Sequence, residues 1–178
     1  MKKYEFTGET IIIGERTLYR IRAVRDFGDV KAGDIGGWIE DENNLSHEGY
    51  CWVCDNAKVG GSAKVCDDAT VRDSAIVRDD AIVGDYAKVC DNAIVCNYAL
   101  VRGSAEVSDF AEVGGAARVR DSAIVYGSAI VYGSAKVGGS ATVRDSAEVR
   151  DKAVVCGSAI VCGSATVGGT TIVCDDAK

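Results

Sequence analysis

Proline is absent from this chain, and histidine occurs once. The first absence suits a backbone in which nearly every N–H is needed for a hydrogen-bonded ladder. The second excludes a zinc centre built on three histidines. It also leaves His47 as the sole candidate base for a Ser-His-Asp arrangement, with no spacing to support one. No apolar run reaches 18 residues, which excludes a helical membrane span. The N-terminal MKKYEFTGETIII has neither the apolar stretch nor the small-residue cleavage site of a secretory signal. Basic residues are outnumbered, 20 to 27, for a formal net charge of −7. Chains that bind nucleic acid directly usually show the opposite balance. The expectation is a cytoplasmic protein, off the membrane and without a direct nucleic-acid partner.

What the chain does have is a repeat. From Val53 to Lys178 a six-residue phrase recurs twenty-one times without interruption: VCDNAK, VGGSAK, VCDDAT, VRDSAI and onward to VCDDAK. Valine opens every unit, and alanine holds the fifth place in all but one, where Thr171 stands. The fifth residue and the next first residue are two apart, so both point to one side of a strand. In Ala75-Ile76-Val77-Arg78 this puts Ala75 and Val77 inward, with Ile76 and Arg78 outward. The third residue is always Asp, Asn or Gly, the types that best tolerate positive φ. A sharp corner once per six residues, between short strands, winds the chain into a coil.

Seven of the eight cysteines occupy one variable slot of this repeat, beside Gly, Arg, Tyr and Ser in other units. That is no fixed disulfide framework, and free thiols fit a reducing compartment. Cys156 and Cys174, 18 residues apart, are vertical neighbours that oxidation can bridge if their side chains turn together. Cys51-x-x-Cys54 lacks a second pair at zinc-site spacing, so no metal site is assigned.

The pattern resembles the hexapeptide-repeat proteins. That likeness implies an all-β fold: a left-handed parallel β-helix with three hexads per triangular turn. Eighteen residues per turn makes residues 53–178 seven coils, roughly 34 Å tall at about 4.8 Å per rung. Residues 1–52 form a separate segment. YEFTGETIIIGERTLYRIRAV reads as a β-hairpin turning at Gly14-Glu15, a cap for the open first coil. The stretches DVKAG, GGW, LS and G-x-CWV-x-DNA resemble the N-terminal segment of an uncharacterised, acetyltransferase-like subgroup of bacterial and prophage proteins.

Residues 18 apart stack on one face. Arg102, Arg118, Arg120 and Lys136 gather there on an otherwise acidic protein, and such a cluster suits a phosphate, a carboxylate or a partner. Ile82 and Leu100 stack in the same outward column. A second face stacks Ile76, Ile94 and Ile130, with Tyr132 alongside. Continuous apolar stripes of this kind mark interfaces, and family members are frequently side-by-side trimers, so a homo-oligomer is expected. Asp55, Asp73, Asp91 and Asp109 form a corner ladder whose like charges Arg72 or cations offset; the need for positive φ explains these aspartates. The last coil carries unpaired backbone groups. It is expected either to make C-terminal end-to-end contact with another copy or to fray, guarded by Asp175, Asp176 and Lys178.

Acyltransferases of this family use a histidine base and loops that break the coil. Here the repeat contains neither, so no cofactor is assigned and His47 is the one catalytic candidate. Ice binding needs ranks of Thr-x-Thr, but Thr70 and Thr142 stand beside Arg72 and Arg144. The leading expectation is a non-catalytic rigid scaffold that self-associates or presents a face to a protein partner. The alternatives are a prophage-type inhibitor occupying a nucleic-acid-binding surface of a host protein, and an acetyl-CoA-dependent acyltransferase.

Overall fold

Twenty-one strands of two residues each, from β4 (Trp52–Val53) to β24 (Ile172–Val173), follow one another at six-residue intervals. They belong to a computed structural model that describes residues 2–175. Each strand pairs in parallel with the strand three further on, as Ile76 with Ile94 and Val77 with Val95. The result is three parallel sheets, one per face, of a stacked β-solenoid. Alanine and valine fill its interior, fully buried from Ala57 to Ala159. Their small, similar volumes let every coil close at the same size.

The corner chemistry holds throughout. All twenty-one third-position residues, from Asp55 to Asp175, have positive φ; twelve are Asp or Asn and nine are Gly. Hydrogen bonds between coils then consume the backbone. In one unit the N–H groups of Ile76, Arg78 and Ser74 donate to Ala93, Val95 and Asp91 of the next coil, at 2.9, 3.0 and 2.8 Å. The Ala75 N–H donates to Arg72 O at 3.2 Å and closes the corner itself. A proline at any of these positions would delete a rung.

β1 (Tyr4–Ile13) and β2 (Arg16–Ala23) form the expected antiparallel hairpin, turning at Gly14-Glu15. β2 pairs with β3 (Ile35–Ile39), and β3 runs parallel to β5 (Lys58–Val59). The solenoid therefore has an eighth, irregular coil upstream of the seven that the hexads make. Trp38 pairs with Lys58 and Leu45 with Val65, 20 residues on, whereas Trp52 pairs with Thr70, 18 on. Two extra residues thus lie between Leu45 and Trp52, and His47 sits in that stretch. The hairpin end caps this coil with Tyr4, Ile21, Phe27 and Trp52, all buried in the same core as the valines.

Asn44 joins the irregular coil to the first regular one. Its side-chain Nδ2 donates to Gly61 O and Ala63 O, each at 2.9 Å, while Oδ1 accepts the Glu40 and Asp41 N–H groups. A buried amide with every bond made is a specific fastener. At the C-terminal end Ala165 and Thr171 are exposed, unlike their counterparts in earlier coils. Asp176 and Lys178, named above as guards of that end, lie outside the described residues.

Candidate functional site

The parallel register puts Leu100, Arg118 and Lys136 on successive rungs of one face. Arg102 and Arg120 stand one residue beyond the strands, on the same side. Together with Val119 these residues line a shallow depression of about 220 Å³. All four cations are exposed. At three other second positions the arginine pairs with the aspartate that follows it: Arg72 with Asp73 at 2.8 Å, Arg78 with Asp79 at 2.9 Å, Arg144 with Asp145 at 3.0 Å. Arg102 is followed by Gly103 and has no such partner. Arg120 reaches Asp121 only at 3.7 Å. Among the described residues Arg102, Arg118 and Lys136 form no ion pair within 4 Å.

The aliphatic stripe is shorter than its expected form. Ile76 and Ile94 are neighbours, but Glu112 stands between Ile94 and Ile130, and Glu148 follows. The expectation of continuous apolar stripes is corrected here: the sixth position alternates chemistry along the axis. Ile76 is also partly engaged by the chain's own hairpin, sharing a niche of about 220 Å³ with Ile13 and Leu18. Ile130 and Tyr132 are exposed, while Ile82 and Leu100 are half-buried neighbours on the basic face.

The corner aspartates do more than adopt positive φ. Each third-position Asp or Asn from Asp55 to Asp151 accepts the backbone N–H of the residue 18 further on. Distances run from 2.8 Å at Asp151 to 3.3 Å at Asp55. Cations are therefore not required to hold the ladder, because each charge faces a donor one coil away. At the irregular coil, where no third-position residue is available, Glu40 takes the part. Its carboxylate accepts Gly61 N–H at 2.6 Å and Arg16 Nη1 at 2.7 Å. Those bonds hold its pKa below the usual glutamate value.

His47 is placed as a packing residue. Its ring stacks on Tyr4 with centroids 4.4 Å apart, and Nδ1 accepts the Lys3 N–H at 3.2 Å. The proton then sits on Nε2, which is buried without a partner. A histidine so bound offers no free lone pair, although it borders an open cavity of about 790 Å³ with Glu42, Ser46, Ser62, Lys64 and Cys66.

Beneath it, Lys3 is fully buried, a feature nothing in the sequence pattern announces. Its Nζ donates to Cys51 O at 2.9 Å, to Glu48 O at 3.4 Å and to Cys51 Sγ at 3.2 Å. Burial pushes the Lys3 amine down and the Cys51 thiol up. Cys54 points to Val71 O instead. Burial also raises Cys54 and Cys90 to about 12 and Cys66 to about 11, so these thiols stay protonated and poorly nucleophilic at neutral pH. Among the described residues the group with metal-like spacing is Asp73, Cys90 and Asp91. Both carboxylates in it are spent on backbone N–H groups. Cys156 and Cys174 are joined as a disulfide across adjacent coils, Cα–Cα 4.5 Å, and the other six cysteines are free.

Parallel coils of six-residue units, with valine and alanine inward, define a β-solenoid built of hexapeptide repeats. A curated relative, described as "Uncharacterized acetyltransferase YdcK" from Escherichia coli (strain K12), is 48% identical over 42 residues. That stretch is 24% of this chain and 13% of the relative, so the match spans a small part of that protein's length. No protein-family model matches the chain. No helix is long and apolar enough to cross a membrane.

Proposed function

We propose that the protein is a rigid, non-catalytic solenoid scaffold that self-associates side by side, as a trimer or another closed form, and presents a face to a protein partner. The observation that carries this reading is the unbroken rung pattern from Trp52 onward. Among the described residues no loop leaves the coil there to build a cleft, so the outward columns are the surface on which specificity is written. Three corners support it further. Tyr86, Tyr98 and Phe110 replace the small polar residue usual at the fourth position and are 65%, 70% and 68% exposed. Large exposed aromatics favour contact with another protein. Mass measurement in solution tests the proposal: a stable homo-oligomer, lost when Ile130 and Tyr132 are changed to Ser, is the expected result. A monomer that captures no protein overturns it.

Acetyl transfer is the second reading, favoured by the likeness to an uncharacterised acetyltransferase and by the cavity beside His47. The engagement of the His47 Nδ1 lone pair by the Lys3 N–H counts against it. Acetyl-CoA turnover that disappears in His47→Ala while the fold persists would establish this reading over the first.

A further inference from the structure

We propose that the depression between Arg102, Arg118, Arg120 and Lys136 is a binding site for a phosphate-class oxyanion, best matched by a diphosphate group. The argument starts from charge. Three second-position arginines, Arg72, Arg78 and Arg144, are held within 3.0 Å by the aspartate next to them. The pattern weakens where four cations meet: Gly103 replaces the aspartate after Arg102, and Arg120 stands 3.7 Å from Asp121, farther than the other pairs. The chain, at −7 overall, thus gathers four cations in the middle of one face, against which only Asp121, 3.7 Å from Arg120, and the Asp67 carboxylate near Arg102 stand.

Glycines shape it. The column holding Arg102 and Arg120 has Gly84 on the rung before and Gly138 on the rung after. A Cβ on Gly84 would stand 3.7 Å from Arg102 Nε, and one on Gly138 would stand 3.3 Å from Arg120 Nε. The two guanidinium groups therefore lean apart along the axis, each over a glycine, rather than crowding each other. Arg118 and Lys136, adjacent rungs of the neighbouring column, close the side. Leu100 and Val119 give an apolar floor that raises the strength of any charge-assisted bond above it.

Size narrows the ligand. At about 220 Å³ the depression is below the usual range for whole cofactors or drug-sized molecules. It suits one or two phosphoryl groups, whose oxygens match the forked geometry of guanidinium. A single carboxylate has too little charge to engage four cations.

The test is calorimetric titration of the full chain with inorganic pyrophosphate, with acetate as a control and ADP to show whether a nucleoside adds anything. Saturable binding is expected for pyrophosphate and not for acetate. Arg102→Gln with Arg118→Gln should weaken it about tenfold or more, the scale of losing hydrogen bonds to a charged group. The pair Arg72→Gln and Arg78→Gln, cations of equal number with aspartate partners, should leave it unchanged. No saturable heat at millimolar pyrophosphate overturns the proposal, as does equal loss in both pairs or equal affinity for acetate. ADP binding at the pyrophosphate affinity supports a site for the phosphates alone, and much tighter ADP binding would overturn the size argument. Because the readout is anion binding, failure here leaves self-association standing, and a monomeric mass leaves the site standing.

Discussion

The carboxylate of Asp85 accepts the backbone N–H of Gly103, one full coil along the chain, at 2.9 Å. The same residue has φ of 56°, so it serves the solenoid twice, through its backbone conformation and through its side chain.

The two services separate by substitution. Asp85→Asn keeps both and should be near wild type. Asp85→Gly keeps the corner and loses the bond, a cost of about 1 kcal/mol. Asp85→Ala loses the bond and, unlike Gly, keeps a Cβ at positive φ without the polar side chain that eases it for Asp, so it should cost about 1 kcal/mol more than Gly. Amide exchange at Gly103 reads the local effect, and faster exchange in Gly and Ala but not in Asn is the expected order.

Acid should open the hairpin end first. The Gly61 N–H, then Arg16, hold Glu40 below its ordinary pKa, and the Asp85 N–H does the same for Asp67. A carboxylate whose folded pKa lies below its unfolded value stabilises the fold above that unfolded value. The contribution is lost as pH falls through the folded pKa. Trp38 and Trp52 lie at this end, so tryptophan emission against pH should show the change. Glu40→Gln should flatten the acid limb that Glu40 contributes.

Lys3→Met removes the donor to a buried carbonyl of Cys51. An acceptor left unsatisfied costs about 1–3 kcal/mol, and the urea midpoint should fall accordingly. A midpoint unchanged by Lys3→Met would mean that the Cys51 carbonyl finds another donor.

Reduction of the Cys156–Cys174 bridge should raise the mass by two hydrogens and loosen the last coils. On the chain-entropy account a loop of this length is worth about 3 kcal/mol. Cys156→Ser should match the reduced protein, and both should show faster amide exchange at Val155 and Val173 than the oxidised form.

Much of this architecture was legible because it depends on short spacing. Ala75 and Val77 point inward on any strand, and Asp73 bends the chain wherever it stands, so the coil follows from six residues repeated. The hairpin at Gly14-Glu15 was legible for the same local reason. The gathering of Arg102, Arg118, Arg120 and Lys136 needed one further number, 18, and the repeat supplied it. The aspartate ladder was half legible. Positive φ explained why Asp is tolerated, but Gly is tolerated too, and only the bond to the next coil distinguishes them.

The irregular coil lay beyond sequence reasoning. Its residues follow no hexad, so nothing announced that Trp38 pairs with Lys58, or that Glu40 stands in for a corner aspartate. Lys3 lies 48 residues from the Cys51 carbonyl it caps, and a lysine two places from the terminal methionine reads as solvated. What the sequence alone determined was periodic: the inward faces, the corners and the coil count from Val53 on, because strand and turn preferences act over a few residues. Tertiary structure decided what closes the first coil, which charges stay unpaired and where His47 spends its lone pair. Those outcomes rest on contacts between residues distant in the chain, and only the packed solenoid brings them together.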